Sequence, residues 1–267
     1  MTTGALANGR PAIFITGAAS GIGLAAAKRF ASAGWFIGLS DVNEAGLAPA
    51  LEAIGAGNGA TFALDVRDRT QWAAAMSGFG ALTGGRMDAL LNNAGIARFG
   101  WFEDITPEEA DLEIDINIKG VMNGAYAGLD LLKATKGARL INVASCAGLY
   151  GPPRLAVYGA TKFAVRGLSE ALDAEFSRHG IAVRCIMPWF VETPILDAGS
   201  AKTNASIRDM LDSQPVYTVE EAAEVIWDAA HGSELHYTVG KAAKSLRFAA
   251  RFFPNSVRKR LTASSRA

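Results

Sequence analysis

The amino-acid sequence predicts an α/β fold built on a doubly wound parallel sheet. Short apolar segments alternate with longer segments of helical periodicity along most of the chain, which is the pattern of strands joined by crossover helices. The first apolar segment is followed by a glycine-rich turn and then by a helical segment. With 267 residues, 50% of them hydrophobic, the chain can form one large domain with a substantial core. We therefore expect a single domain over residues 1–267, with its core at about 10–240 and a basic helical tail at 241–267.

The individual elements follow from local patterns. Apolar runs predict strands at residues 12–16, 35–40, 60–64, 87–92, 139–144, 181–187 and 235–239. Helical periodicity predicts a first helix that ends at about residue 33, and further helices at 43–54, 69–80, 107–134, 158–178 and 219–230. Pro107 occupies a position that the first turn of a helix favours. Residues 188–214 are expected to be irregular or locally helical.

Composition argues against several classes of partner. Lysine plus arginine equals aspartate plus glutamate at 26 each, so the overall charge gives no reason to expect a nucleic-acid partner. The two cysteines, Cys146 and Cys185, have neither metal-ligand spacing nor a CxxC arrangement, which favours a reduced, cytoplasmic chain without a metal site. The first ten residues lack the pattern of a signal peptide. No stretch approaches the roughly 18 apolar residues of a membrane span.

The C-terminal tail differs from the rest of the chain. Residues 241–267 include eight lysines and arginines and no acidic residue, with apolar residues interleaved and Pro254 interrupting the run. A basic amphipathic helix can lie on an anionic membrane surface, so one interpretation is peripheral membrane contact through residues 241–260. The interpretation that we favour is a helix packed on its own domain or on a neighbouring subunit.

A glycine-rich turn follows the first predicted strand. Its sequence is Thr16-Gly17-Ala18-Ala19-Ser20-Gly21-Ile22-Gly23. Glycines let the backbone turn sharply and approach a pyrophosphate, which then lies at the N-terminus of the following helix. The turn lacks the Gly-Lys-Ser/Thr ending of a P-loop, so a dinucleotide is the ligand that it indicates.

Two carboxylates follow the second and third predicted strands. A carboxylate in the position of Asp41 accepts hydrogen bonds from a ribose 2′-hydroxyl and repels a 2′-phosphate. Because no basic residue stands at Ser20 or directly after Asp41, we expect NAD in preference to NADP. Asp41 could instead be a turn residue before Asn43. Asp65 could face the adenine or cap the next helix.

Tyr158 and Lys162 are four residues apart at the start of a long helical pattern, so they lie on one face of that helix. Free tyrosine has a pKa of about 10, and a nearby cation favours the phenolate and lowers that pKa. The pair can therefore act as a general acid/base with the lysine as its electrostatic partner. Taken alone, the pair is weak evidence, because such spacing is common by chance and is more often an exposed helix face that carries a half-buried ring.

Further pieces of the sequence stand in a fixed order with the glycine-rich turn and the Tyr158/Lys162 pair. They are Asp65-Val66, Asn92-Asn93-Ala94-Gly95, Asn117, Ser145 and Pro188-x-x-Val191-x-Thr193. Together they resemble the short-chain dehydrogenase/reductase family, in its ordinary-length branch, over roughly residues 10–240. The resemblance implies a Rossmann-like fold, NAD as cofactor, a small-molecule substrate and a homodimer or homotetramer. The chain departs from the family at Trp189, where glycine usually follows the proline, and a bulky ring there must change the pocket beside the nicotinamide.

The resemblance also implies a role for each matching residue. Tyr158 would exchange a proton with the alcohol or carbonyl oxygen, and Lys162 would lower the pKa of that tyrosine and hold the nicotinamide ribose. Ser145 would hydrogen-bond the substrate oxygen, and Asn117 would support a water that links Lys162 to solvent. From the residues alone, Ser145 could instead cap a turn and Asn117 could be a satisfied core amide. The cofactor-binding set would be Gly17, Ser20, Gly21, Ile22, Gly23, Asp41, Asp65, Val66, Asn93, Gly95, Tyr158, Lys162, Val191 and Thr193.

The loops at 146–153 and 189–215 follow predicted strands and are expected to recognise the substrate. Their side chains include apolar and aromatic residues and no arginine cluster, which indicates an apolar secondary alcohol or ketone; these are Leu149, Tyr150, Trp189, Phe190, Ile195 and Leu196. The same side chains could instead pack a flap over the cofactor or face another subunit. Two function classes remain: an NAD(H)-dependent oxidoreductase, and a non-catalytic dinucleotide-binding sensor or scaffold. The long helices at 107–134 and 158–178 could pair between subunits.

Overall fold

In the computed structural model, residues 6–203, 205–211 and 214–264 are described, and within them seven strands form one parallel sheet. The strands are β1 (Ala12–Thr16), β2 (Phe36–Asp41), β3 (Gly59–Ala63), β4 (Ala89–Asn92), β5 (Arg139–Val143), β6 (Ala182–Pro188) and β7 (His236–Val239). Their order across the sheet is β3-β2-β1-β4-β5-β6-β7, so the winding reverses between β1 and β4. The predicted doubly wound α/β fold is confirmed.

Helices cover both faces of this sheet. They are α1 (Gly21–Ser32), α2 (Glu44–Ile54), α3 (Arg69–Thr83), α4 (Pro107–Ile114), α5 (Gly120–Lys133), α6 (Ala156–Phe176), α7 (Val219–His231), α8 (Lys241–Phe252) and α9 (Pro254–Ser264). Successive residues of β1 alternate between the faces. Ile13 and Ile15 pack with α1, α2 and α7, whereas Phe14 packs with Trp72 and Phe79 of α3. The sheet therefore separates two apolar cores.

The predicted helix at 107–134 contains an interruption that the sequence pattern does not show. Between α4 and α5 lies a π-helical segment, Asp115–Lys119, which is one widened turn within a continuous helical path. Asn117 lies in this segment and is fully buried. The start of α4 follows the prediction, because Pro107 stands in its first turn and Thr106 forms a capping box with Glu109.

Other boundaries differ from the predictions by a few residues. Strand β4 begins at Ala89 and not at 87, because the backbone N–H of Met87 donates to the Thr135 hydroxyl outside the sheet ladder. The region predicted as irregular or locally helical contains two short 3₁₀ turns, Pro194–Asp197 and Arg208–Met210, in agreement with that prediction.

The tail forms two helices, α8 and α9, which meet at Phe253 and Pro254. Ala243 of α8 is fully buried, and Val257 of α9 is 8% exposed. One face of the tail thus packs on the chain's own domain, as the favoured interpretation expects. Among the described residues, none of the helices combines the length and the apolar character that crossing a membrane requires.

Candidate active site

A cleft of about 1800 Å³ lies at the carboxyl ends of the strands. This volume exceeds the roughly 300–1,000 Å³ of a typical small-ligand pocket, so the cleft can hold a large ligand together with a second molecule. Its walls include most of the residues that the sequence singled out: Gly17, Ser20, Gly21, Ile22, Asp41, Asp65, Val66, Asn93, Gly95, Ser145, Tyr158, Lys162, Val191 and Thr193. Gly23 and Asn117 lie behind this wall.

The glycine-rich turn forms one end of the cleft. Gly17 has a φ of +66° and Gly21 a φ of +54°, a backbone region that favours glycine. A Cβ atom on Gly23 would lie only 2.1 Å from the carbonyl oxygen of Gly17. Gly23 therefore permits the close packing of α1 against the turn. This packing explains why glycine is needed at position 23, although Gly23 itself does not line the cleft.

Asn93 supports this turn from the end of β4. Its side-chain amide donates to the carbonyl oxygens of Thr16 at 2.9 Å and Gly17 at 3.2 Å. The backbone N–H groups of Asn93 and Ala94 both donate to the Thr16 hydroxyl at 3.0 Å. The conformation of the turn is thus fixed by its neighbours in the fold.

Asp41 ends β2 beside the turn. Its carboxylate accepts hydrogen bonds from the backbone N–H groups of Ala19 at 3.0 Å and Asn43 at 2.9 Å. Asp41 therefore does form the local turn before Asn43, and it lines the cleft as well. The turn interpretation is therefore confirmed, and the predicted contact with a ribose stays a prediction that this position in the cleft allows.

Asp65 does not cap the following helix. The cap of α3 is Asp68, whose side chain accepts from the backbone N–H groups of Thr70 and Gln71. The Asp65 carboxylate instead accepts hydrogen bonds from Nε of Arg67 at 2.9 and 3.0 Å, and this guanidinium lowers the pKa of Asp65. Arg67 also lines the cleft, and the sequence pattern does not indicate its pairing with Asp65.

Lys162 lies at the centre of the cleft wall and is only 4% exposed. Its Nζ donates to the carbonyl oxygen of Val143 at 3.0 Å and lies 5.5 Å from the centre of the Tyr158 ring. The predicted proximity of the two side chains is therefore present. Burial lowers the pKa of Lys162 to about 8, so its ammonium can lose a proton in the neutral to mildly alkaline range.

The pKa of Tyr158 differs from the sequence-based expectation. Among the protein's own groups, desolvation dominates and raises the pKa of Tyr158 to about 12, while the hydrogen bond with Ser145 acts in the lowering direction. The expectation that the neighbouring Lys162 gives Tyr158 a lowered pKa is therefore wrong among the protein's own groups. The physical reason is burial, which disfavours the phenolate and which sequence spacing does not reveal.

Ser145 and Asn117 lie near Tyr158 and Lys162, and both also form hydrogen bonds that hold the surrounding backbone. The Ser145 hydroxyl accepts from the backbone N–H of Ala147 at 3.1 Å, so it caps the turn after β5. The Asn117 amide accepts from the Ile96 N–H at 2.9 Å and donates to the Ile96 carbonyl at 2.8 Å and to the Thr161 hydroxyl at 3.1 Å. A Cβ on Gly95 would lie 3.1 Å from Oδ1 of Asn117 and 3.4 Å from Nζ of Lys162, so the Gly95 backbone lies between them.

Glu113 is a buried acid beside this group that the sequence analysis missed. It is fully buried, Oε1 accepts from the Arg98 backbone N–H at 2.9 Å, and Oε2 has no hydrogen-bond partner within the described ranges. Burial raises the pKa of Glu113 to about 7, opposed by the positive charges of Arg98 and Lys162. The spacing could have indicated Glu113, because it stands four residues before Asn117 and such residues share one face of a helix.

Replacing Glu113 by glutamine is expected to flatten the pH dependence of stability. A pKa raised from 4.5 to about 7 means that the folded state binds a proton more tightly than the unfolded state, so this group's contribution falls as the pH rises through that window. Glutamine does not titrate. The free energy of unfolding should therefore fall by about 1–3 kcal/mol less across this window in Glu113→Gln than in wild type. Denaturant unfolding of wild type and Glu113→Gln on either side of the window measures this.

The matched control is Asp111→Asn, an exposed acid on the same helix. It should leave the difference between the two pH values unchanged. Equal pH dependence in wild type and Glu113→Gln would show that Glu113 does not titrate in this window.

The substrate end of the cleft is apolar, with charged groups at its edge. Of the six side chains predicted for it, Tyr150, Trp189, Phe190, Ile195 and Leu196 line the cleft. Leu149 does not, because it is buried in the cluster around Val121 and Met187. Folding also brings two arginines to the wall: Arg98, which pairs with Glu109 at 3.5 Å, and Arg154, whose guanidinium lies 4.7 Å from the centre of the Trp101 ring.

Trp189, the residue that departs from the family pattern, joins the cleft to the tail. Its ring packs against the buried cluster that also includes Ala243 of α8, and Leu246 of α8 packs against the same cluster. The ring stacks edge-on with Phe190, with 5.5 Å between their centres. A tryptophan at this position therefore fills space under α8 as well as bordering the cleft.

Comparison with known proteins agrees with this geometry. The model of the short chain dehydrogenase family matches residues 11–204. The chain is 35% identical over 218 residues to the oxidoreductase UcpA of Escherichia coli, covering 79% of this chain and 82% of UcpA. It is 37% identical over 188 residues to LinX of Sphingobium indicum, a 2,5-dichloro-2,5-cyclohexadiene-1,4-diol dehydrogenase, covering 68% and 73%.

A solved structure shows the same architecture. The short chain dehydrogenase of Mycobacterium paratuberculosis, bound to NAD, has 26% sequence identity and a TM-score of 0.78, covering 88% of this chain and 98% of that one. The fold and the site thus define a nucleotide-dependent class of α/β enzyme. The chain belongs to the short-chain dehydrogenase/reductase family and is an oxidoreductase.

Proposed function

We propose that this protein interconverts an apolar secondary alcohol and a ketone with NAD(H), and that Tyr158 is its general acid/base. The observation that supports this most is the convergence of Ser145, Tyr158 and Lys162 on the wall of the cleft that the glycine-rich turn and Asp41 also line. A protein that only binds a dinucleotide has no use for a proton-exchanging side chain next to it. The alternative, a non-catalytic sensor or scaffold, explains the turn and Asp41 but not this group.

The residues of the cleft fit NAD. The glycine turn offers backbone N–H groups and the start of α1 to a pyrophosphate, and no Cβ fills the space at Gly17 or Gly21. The Asp41 carboxylate suits a ribose with a free 2′-hydroxyl, Lys162 suits the second ribose, and Val191 and Thr193 suit the carboxamide. NAD in the similar M. paratuberculosis structure supports this assignment. When bound, the nicotinamide group supplies the hydride acceptor or donor.

The side chains of the protein then handle the proton. Tyr158 Oη gives a proton to the carbonyl oxygen in reduction and takes one from the alcohol in oxidation. The Ser145 hydroxyl holds that same oxygen, and the Lys162 ammonium stabilises negative charge on Tyr158 Oη. Because the pKa of Lys162 is about 8, this support weakens as the pH rises above that value. Asn117 fixes the backbone at Ile96 and would support a water that connects Lys162 to solvent.

An apolar substrate is favoured by the side chains that line the far end of the cleft. Ile96, Tyr150 and Phe190 offer apolar surface there, and the two arginines lie at the edge. LinX, one of the relatives, is named for the dehydrogenation of a chlorinated cyclohexadiene diol. Its named substrate is thus a ring alcohol that carries apolar substituents. Steady-state turnover with NAD of cyclic and aromatic secondary alcohols, against sugars and acyl-carrier substrates, tests the proposal. A clear preference for the polar set would reject it.

Replacement of Asp41 by asparagine is expected to weaken the preference for NAD over NADP. The substitution removes a charged acceptor for the ribose hydroxyl and the repulsion of a 2′-phosphate, so kcat/KM for NAD should fall about 10–100-fold relative to NADP. The control is Asp130→Asn, an exposed carboxylate of α5 that does not line the cleft, and it should leave the ratio unchanged. Ratios of kcat/KM for the two nucleotides, measured on all three proteins, decide this. An unchanged ratio in Asp41→Asn would remove Asp41 from the nucleotide site.

We also propose that the protein acts in the cytoplasm as a homodimer or homotetramer. Two large apolar side chains on the long helices support this, since Tyr126 of α5 is 70% exposed and Phe163 of α6 is 44% exposed. Aromatic residues are enriched at subunit interfaces, so their exposure on these two helices is consistent with such a contact.

A further inference from the structure

Charge is segregated in this chain. We use the term C-terminal hairpin for α8 and α9 together, residues 241–264, which contain seven basic residues and no acidic one. Residues 1–240 carry 18 basic against 26 acidic residues, so the neutral total conceals two opposite charges. All seven basic side chains of the C-terminal hairpin are exposed: Lys241, Lys244, Arg247, Arg251, Arg258, Lys259 and Arg260. Within the described part of the chain, none of them forms an ion pair with an acidic side chain.

Three exposed phenylalanines share this surface. Phe248, Phe252 and Phe253 are 59%, 58% and 55% exposed. Their rings touch one another, with 4.9 Å between the centres of Phe248 and Phe252 and 6.0 Å between Phe248 and Phe253. A contiguous aromatic patch of this kind marks an interaction surface, because isolated exposure does not bring three rings together.

The opposite face of the C-terminal hairpin is already occupied. Ala243 and Val257 are buried, and Leu246 packs against the cluster beneath α8. Ala242 and Ala249 line the active-site cleft. Packing on its own domain thus accounts for one face of the tail, and Arg260 of α9 lines the cleft as well. On α8, Arg247 donates to the carbonyl oxygen of His236 at 3.4 Å, and the three phenylalanines contact one another and Arg251.

Lysine and arginine lie next to the aromatic row on the free face. Lys244, Phe248 and Phe252 are spaced four residues apart, and Arg247 and Arg251 form the neighbouring row. Cations beside large apolar side chains, with no acid among them, match the boundary between phospholipid headgroups and acyl chains. A nucleic acid would use the cations but not the phenylalanines. A symmetric contact with a second copy would bring two basic hairpins together.

We propose that the free face of the C-terminal hairpin docks on the surface of an anionic phospholipid bilayer. The three phenylalanines insert at the headgroup boundary, and Lys244, Arg247 and Arg251 beside them lie over the lipid phosphates. Since the other face of α8 lines the cleft, docking brings the cleft close to the lipid surface. Access of an apolar substrate from the bilayer would follow, and that consequence alone rests on the proposed function.

Vesicle co-sedimentation of the full chain tests the docking without nucleotide or substrate. The protein should bind vesicles of phosphatidylcholine with phosphatidylglycerol, bind pure phosphatidylcholine weakly, and dissociate as salt is raised. Changing Phe248, Phe252 and Phe253 to serine should lower the partition coefficient at least about tenfold. Lys244→Glu combined with Arg251→Glu should do the same. Because the assay needs no turnover, its failure is distinguishable from failure of the proposed reaction.

Matched controls separate this surface from general surface properties. Phe102→Ser removes a phenylalanine outside the tail that is 71% exposed, and Lys28→Glu with Lys136→Glu reverses two exposed cations elsewhere. Both should bind vesicles like wild type. If the triple variant does not fold, Phe252→Trp provides a second test, because quenching of its fluorescence by brominated lipid reports insertion. The substitution should increase quenching above that of the native tryptophans.

Three results would overturn the proposal. One is equal binding by wild type and the serine variant to anionic vesicles, or no binding by either. Another is binding that follows charge alone and extends equally to duplex DNA, which would assign the surface to nucleic acid. The last is a change of oligomeric state in the serine variant, seen by light scattering without lipid, which would assign the surface to a second copy of the chain.

Discussion

Replacement of Tyr158 by phenylalanine is expected to lower kcat by about 10²–10⁴-fold. The ring and its contact with Lys162 remain, since the ammonium lies 5.5 Å from the ring centre, but the only proton that the proposed mechanism moves through Tyr158 Oη is lost. Nucleotide affinity should change little, because the glycine turn and Asp41 are untouched. Steady-state kinetics with NAD and an alcohol substrate, together with a nucleotide-binding titration, measure both effects.

The control for this experiment is Tyr150→Phe, another tyrosine in the cleft wall. It should retain turnover within a few-fold. Full activity in Tyr158→Phe would reject the proton-transfer role, and a wild-type protein that binds NAD but turns over none of the alcohols or ketones would favour the sensor or scaffold.

Gly23→Ala should disrupt both stability and nucleotide binding, although Gly23 does not line the cleft. The new Cβ would lie 2.1 Å from a backbone oxygen of Gly17, so α1 or the turn must move. Such overpacking typically costs about 1–3 kcal/mol. Because the turn itself shifts, we expect NAD affinity to fall by at least about tenfold as well. Thermal unfolding and a fluorescence titration with NADH measure the two effects.

Gly167→Ala provides the matched control, because Gly167 is a helical glycine with no atom within 4 Å of its Cβ position. That substitution should stabilise the protein by about 0.5–1 kcal/mol through helix propensity and leave nucleotide affinity unchanged. If Gly23→Ala behaved like Gly167→Ala, the packing of α1 on the turn would not be a requirement of the site.

Features that follow from local chemistry could be predicted from the sequence. The strands are apolar runs that cannot remain exposed, and the glycine-rich turn needs positive φ at Gly17 and Gly21. The spacing of Tyr158 and Lys162 fixes their helix face whatever surrounds them. For these reasons the fold class agrees with the structure, and most of the predicted site residues line one cleft, where their roles stay predictions.

Features that depend on tertiary burial could not be predicted in the same way. Glu113 looks like an ordinary surface acid in the sequence, and only the packing of α4 beneath the Arg98 loop buries it. The pairing of Asp65 with Arg67 and the burial of Leu149 also depend on neighbours that the chain brings together on folding. The raised pKa of Tyr158 has the same origin, since it measures how much water the fold removes.

The central claim is that Tyr158 becomes a competent acid/base when the dinucleotide binds beside Lys162. Among the protein's own groups its pKa is about 12, and the positive charge of an oxidised nicotinamide should add to that of Lys162 and favour the phenolate. A pH titration of ¹³C-labelled tyrosine by NMR, with Tyr158→Phe used to assign the signal, measures that pKa with and without saturating NAD. We predict a pKa below that of free tyrosine, about 10, when NAD is bound, and no such decrease in Lys162→Met. A pKa that stays near 12 with NAD bound, or that falls equally without the lysine, would contradict the account.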